Sequence, residues 1–198
     1  MRAGVILFDD FETLDAFGPV EILGRLKDQY QLYFYSLHGG LVVSSHGVSV
    51  MTEKIAFGID IELVLIPGGM GTRKEVDNTY LIETIKAMAD SCTYVLTVCT
   101  GSALLAKTGL LNGRKATSNK RAFSWVMSTE KKVNWVRQAR WVVDGKYYTS
   151  SGVSAGMDMT LGFLSDIHGI ALARDVAHQL EYRWAEDKDA DDFATPEV

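Results

Sequence analysis

Cysteine, proline and histidine are all scarce in this chain: two, three and four residues in 198. Two cysteines cannot build the disulfide framework of a small secreted domain. So few prolines, with 47% hydrophobic and 23% charged residues, exclude a disordered or collagen-like chain. Basic residues number 20 against 25 acidic ones, a net charge of −5, so no basic excess is available to neutralise a run of phosphates. Nucleic acid is therefore excluded as the expected partner. No run of about 18 apolar residues occurs, so no membrane span is expected. The first apolar stretch, Ala3 to Phe8, is too short for a signal-peptide core and runs at once into Asp9 and Asp10. These absences together predict a protein of the reducing cytoplasm. His38, His46, His168 and His178 are isolated, without metal-ligand spacing to each other or to cysteine. There is no zinc motif, P-loop or dinucleotide-binding glycine pattern after the first apolar run, so neither metal nor organic cofactor is expected.

The length suits one substantial domain and is short for two. Short β-branched runs alternate with longer helical stretches, the pattern of an α/β fold on a mainly parallel sheet. Strands are predicted at 3–8, 30–37, 63–66 and 94–98, the first and the last two of them continuous apolar runs suited to a sheet covered on both faces. Hairpins are predicted around Ser44-Ser45-His46-Gly47 and around Asp144-Gly145. Helical spacing covers about 14–27, 80–89, 103–107, 122–127, 155–168 and 171–184. Residues 1–184 read as a single domain, and 185–198 as an acidic, solvated tail. Lys131, Lys132, Arg137 and Arg140 read as a solvated basic face, and Cys92, before a strand and without glycine neighbours, as structural.

Cys99 is the focus for chemistry. It ends the apolar run Tyr94 to Val98 and precedes Thr100-Gly101-Ser102, where a helix begins. A sharp strand-to-helix turn lifts its central residue to the top of the sheet, and backbone N–H groups at the helix start favour a thiolate. Thr97 stands where such turns usually carry glycine, and a buried cysteine acting as a small hydrophobe satisfies the same spacing. Pro67-Gly68-Gly69 ends the neighbouring strand. It is either an ordinary glycine turn or, with the Gly69 and Thr100 N–H groups, an oxyanion hole. Asp15 follows the first strand, either as a helix-start dipole partner or as a carboxyl facing Cys99 with a raised pKa.

Five segments in this order resemble the ThiJ/PfpI superfamily: Leu14-Asp15-Ala16-Phe17-Gly18-Pro19-Val20-Glu21, Ile66-Pro67-Gly68-Gly69, Val98-Cys99-Thr100-Gly101-Ser102, residues 109–117, and Thr149 to Asp158. Within it the chain is most similar to the isonitrile hydratase group, which has an aspartate at the place of Asp15. The resemblance implies a flavodoxin-like three-layer sandwich that forms homodimers, with the site near the dimer contact. It implies Cys99 as nucleophile, with Asp15 and Thr100 as its catalytic partners. Many relatives carry a histidine after the Ala116-Thr117 position. Here the stretch is Ser118-Asn119-Lys120, and Asn119 cannot act as a base, which argues against a Cys–His dyad.

The reaction implied is hydration of an isonitrile to an N-substituted formamide, with a small molecule as the partner and no cofactor. Asn119 and Gly152 are candidate pocket residues. Glyoxalase or deglycase action on reactive carbonyls is the alternative, weakened by the aspartate and the missing histidine. A redox-sensing or small-molecule-binding protein is the non-catalytic one. A helix-turn-helix regulator is not expected, because about a dozen residues follow the last helix.

Overall fold

In the computed structural model, residues 1–56 and 58–194 are described. The elements in chain order are β1 (Arg2–Ile6), α1 (Thr13–Gly24), β2 (Gln31–Ser36), β3 (Gly40–Val43), β4 (Ser49–Lys54) and β5 (Leu63–Ile66). They continue with α2 (Thr72–Glu75), α3 (Thr79–Ser91), β6 (Tyr94–Thr97), α4 (Gly101–Lys107) and β7 (Lys115–Ala116). The remainder are α5 (Phe123–Thr129), β8 (Asn134–Trp135), β9 (Trp141–Asp144), β10 (Tyr147–Ser150), α6 (Ala155–His168) and α7 (Ile170–Gln179).

Eight strands form one sheet in the order β3-β4-β2-β1-β5-β6-β10-β9. Its centre is parallel, because β1, β5 and β6 are short, almost wholly buried and connected through helices that cover them. Only the outer pairs, β3 with β4 and β9 with β10, are antiparallel, joined by a five-residue and a two-residue hairpin loop respectively. The chain runs from β1 outward to β2 on one side and to β5 on the other. Beyond the carboxyl ends at such a reversal the connecting loops diverge and leave a crevice. The loops after β1, β5, β6 and β10 all open there.

The core is continuous through the sheet, with Ile6, Leu63, Leu65, Ile66, Leu96 and Phe163 wholly buried. Pro19 lies inside α1, yet the helix continues. Having no N–H, it cannot donate to the Asp15 carbonyl four residues back, which leaves that turn less constrained than the rest.

Several expectations need correction. The final helix stops at Gln179 rather than about 184, with Glu181 in the left-handed region at φ 50°. The short helix α2 and the β7–β8 pair carry too few residues to show periodicity and were not anticipated. The acidic end is not simply solvated. The Lys188 carbonyl accepts from the Arg140 N–H at 2.7 Å, and the buried Asp191 pairs with Lys120 at 3.5 Å. Arg140 likewise leaves the basic face: it is buried and pairs with Asp158 at 2.7 Å. Residues 195–198 of the tail lie outside the described residues. No helix among the described residues is long and apolar enough to cross a membrane.

Candidate active site

Three strand ends and one helix bring the expected residues together. Cys99 sits just beyond β6 with φ 56°, a conformation that costs a non-glycine residue about 1–3 kcal/mol. Neighbouring hydrogen bonds hold it there. The Cys99 N–H donates to the Ser151 carbonyl at 3.1 Å, and the Cys99 carbonyl accepts from Ser118 Oγ at 2.8 Å and Ser102 Oγ at 3.0 Å. The strained turn is therefore overdetermined by segments beyond both β10 and β7.

Asp15, in the first turn of α1, is fully buried. Its Oδ2 accepts from the Gly68 N–H at 3.0 Å, while Oδ1 has no hydrogen-bond partner. Gly68 is glycine for a spatial reason. A Cβ there would stand 2.6 Å from the Thr100 nitrogen and 2.8 Å from Asp15 Oδ2. Burial pushes the Asp15 carboxyl up to about 7, and the charge of Glu12 adds to the rise, against stabilisation by the Gly68 N–H and by Cys99.

Cys99 overturns one expectation. It was to be held ionised by the helix start. It is only 7% exposed, and burial first and the Asp15 charge second drive its pKa far above the ordinary thiol value. Thr100, through its N–H and side chain, and the Val153 N–H oppose the rise without reversing it. The helix dipole is too small an effect to offset desolvation here, because α4 has only seven residues. At neutral pH the sulfur is therefore a thiol, beside a carboxyl group near its midpoint.

The expected oxyanion hole is also corrected. The Gly69 N–H is already used, donating to Thr100 Oγ1 at 3.1 Å, and Thr72 Oγ1 donates to the same oxygen at 3.0 Å. The N–H groups directed at the sulfur belong to Thr100 and Val153. Val153 follows β10 and has φ 43°. No sequence signal marks it, because a left-handed valine is not recognisable from composition.

Asn119 and Gly152 do meet. A Cβ on Gly152 would lie 2.3 Å from Asn119 Nδ2, so only glycine allows the approach. Both line a cavity of about 240 Å³ shared with Lys120, Ser151, Val153 and Phe193. Of the histidines, His168 Nε2 is 2.7 Å from the Tyr30 hydroxyl, and His46 lies 3.6 Å from Glu12, just before α1. Among the described residues no group of three or more His, Cys, Asp or Glu could hold a metal ion.

A strained strand-end cysteine, a buried aspartate and a Gly-Gly turn in one crevice can be set beside known proteins. A family model described as DJ-1/PfpI matches residues 1–166. The chain belongs to the DJ-1/PfpI family. It is 31% identical over 184 residues to an isonitrile hydratase of Pseudomonas putida, covering 92% of this chain and 78% of that protein. It is 27% identical to a deglycase of Thermococcus kodakarensis, covering 76% and 89%. It is also 28% identical to the HTH-type transcriptional regulator CdhR of Pseudomonas aeruginosa, over 84% of this chain but 49% of the regulator. Among solved structures, Drosophila melanogaster DJ-1beta superposes with a TM-score of 0.79 at 21% identity, over 92% and 98% of the two chains. That agreement establishes the flavodoxin-like α/β sandwich. The family thus includes enzymes as well as regulators.

Proposed function

We propose that this protein hydrates isonitriles to N-substituted formamides, with Cys99 as nucleophile, Asp15 as proton carrier and Thr100 supporting the sulfur. The observation that carries the reading is the buried Asp15 carboxyl beside Cys99, one oxygen held by Gly68 and the other unpartnered. Likeness to an isonitrile hydratase over nearly the whole chain supports it.

The chemistry suits a thiol and one carboxyl. Hydration places a proton and an oxygen on the same terminal carbon of the isonitrile. The Asp15 carboxylate takes the Cys99 proton as sulfur bonds to that carbon, then delivers the proton to it, giving a thioimidate, S–CH=N–R. The N–H groups of Thr100 and Val153 stabilise the sulfur while it is anionic. Asp15, again a carboxylate, takes a proton from water as its oxygen adds to the carbon, and passes that proton to nitrogen. It then removes the hydroxyl proton as the C–S bond breaks, and the sulfur recovers the proton. The sum is one isonitrile plus one water to one formamide, with both side chains restored. No preformed thiolate is needed, which accords with the raised thiol pKa.

The test is formamide release from a panel of isonitriles, with methylglyoxal run alongside. Formamide from wild type, lost in Cys99→Ser and Asp15→Asn, supports the reading. Absence of formamide from every isonitrile rejects it, and efficient lactate release from methylglyoxal puts the glyoxalase or deglycase reading in its place. A homodimer in a reducing compartment belongs to the same reading. The edge hairpin β3–β4 offers the exposed Leu41, Val43, Val48 and Met51 as a face for a second copy. Sedimentation at dimer mass, reduced to monomer in Leu41→Asp/Met51→Asp, is expected, and a monomeric wild type would refute it.

A further inference from the structure

One cation near Cys99 has no part in the chemistry above. Arg73 stands in α2, directly after Thr72, whose hydroxyl bonds Thr100, so its backbone is fixed within two residues of the sulfur's own neighbour. Its guanidinium carbon lies over the Trp125 indole, 3.3 Å from the ring centroid. Trp125 belongs to α5, so the stack bridges two helices beside the crevice. Among the described residues Arg73 has no ion pair, and its Nη1 is buried without a hydrogen-bond partner.

This combination is unusual. A buried guanidinium nitrogen without an acceptor is disfavoured, and native structures rarely keep one without a purpose. Elsewhere among the described residues Arg140 is answered by Asp158, Lys120 by Asp191, and the part-buried Arg2, whose Nε is likewise unpartnered, by Asp60. Arg73 is left with one face covered by an indole and with an N–H unused. Burial lowers its pKa, and a negative charge on Cys99, when formed, acts in the opposite direction. A guanidinium pinned by stacking presents its edge, and an edge pairs best with a planar, two-oxygen anion.

We propose that Arg73 anchors a carboxylate subsite beside Cys99, and that the isonitrile taken by this protein bears a carboxylate. The subsite itself stands on Arg73 and Trp125; only the isonitrile part rests on the hydratase reading. Trp125 fixes the guanidinium plane, and the carboxylate completes the hydrogen bonds that the protein leaves open. The reacting carbon is thereby presented to Cys99 in one orientation.

Two measurements separate the subsite from the reaction. The first uses alkylation alone: rates of Cys99 modification by iodoacetate and by iodoacetamide are followed by mass spectrometry. Their ratio cancels changes in thiol reactivity. Arg73→Met should lower the ratio about tenfold at Cys99 and leave it unchanged at Cys92, while Arg73→Lys should restore most of it. Added salt should lower the wild-type ratio, a readout that needs no variant. The second compares kcat/KM for a carboxylate-bearing isonitrile and a neutral one of equal size. Wild type should favour the anion, and Arg73→Met should remove about ten- to a hundredfold from the anionic substrate while changing the neutral one less than about threefold. An alkylation ratio unmoved by Arg73→Met and by salt overturns the subsite, even if isonitriles are hydrated. A ratio that falls while no isonitrile is hydrated keeps the subsite and rejects the isonitrile as its ligand. Equal preference for both isonitriles rejects the carboxylate-bearing substrate.

Discussion

Cys92 and Cys99 flank the same strand, β6, and both are buried, yet their surroundings differ in kind. Cys92 caps α3 with an ordinary φ of −73°, and its Sγ donates to the Ile61 carbonyl at 3.2 Å. Burial pushes its pKa up to about 11, with Lys146 opposing the rise. Cys99 has a left-handed backbone, two N–H groups directed at its sulfur, and a carboxyl group that can take its proton. Exposure does not separate the two residues. What separates them is a backbone bent against its preference so that groups from three chain segments converge on one sulfur.

The largest effect that would break this contrast is on turnover. Cys99→Ala should lower formamide formation at least about a thousandfold, whereas Cys92→Ala should leave kcat/KM within about threefold. Comparable losses in both would erase the distinction. Asp15→Asn comes next, with a loss of about 10²–10⁴-fold, because the asparagine can neither take nor return the proton. In wild type kcat/KM should rise with pH through a midpoint near 7, as Asp15 becomes the carboxylate that deprotonates the thiol. That rise should vanish from the residual activity of Asp15→Asn; its persistence would assign the ionisation to another group.

Stability gives smaller and independent effects. The Asp15 carboxyl holds its proton up to about 7 in the fold, against 3.8 ordinarily. A carboxyl raised in this way contributes fully below its unfolded pKa and loses that contribution as pH climbs through the folded one. Between about pH 4 and about pH 8 the stability of Asp15→Asn should therefore gain on wild type by on the order of 3 kcal/mol, read by denaturant titration. A pH-independent difference would mean that Asp15 is not buried as described. The smallest effect concerns the backbone. Cys99→Gly should be more stable than Cys99→Ala by about 1 kcal/mol, because glycine accepts a positive φ without strain. At Cys92 the order should reverse, with glycine about 0.5–1 kcal/mol worse than alanine. The same order at both positions would remove the strain from the account.

Much of this arrangement was readable before any coordinates. The apolar runs at Leu63 to Ile66 and Tyr94 to Thr97 announce buried parallel strands, and the turns that end them must share one sheet edge. That placed Cys99, Thr100, Gly68 and Gly69 together, with Asp15 at the adjacent strand. Asn119 and Gly152 could be named only as pocket candidates; their close approach is visible in the structure alone. The direction of the thiol pKa was not readable. A helix start is visible in sequence, but desolvation depends on what covers the sulfur from other segments. The use of the Gly69 N–H by Thr100, the left-handed Val153 and the stack of Arg73 on Trp125 are not legible in the sequence for the same reason.

Hydrophobic periodicity and turn residues are local properties, and they sufficed for an α/β fold on a mainly parallel sheet and for which strand-end turns share one edge; the flavodoxin-like sandwich came from the family resemblance. Proton affinity, hydrogen-bond allocation and the pairing of distant charges depend on distances between segments far apart in the chain. Those distances exist only once the chain has packed. The fold alone therefore decided that Cys99 keeps its proton, that Asp15 has a free oxygen to receive it, and that the acidic end supplies Asp191 to Lys120.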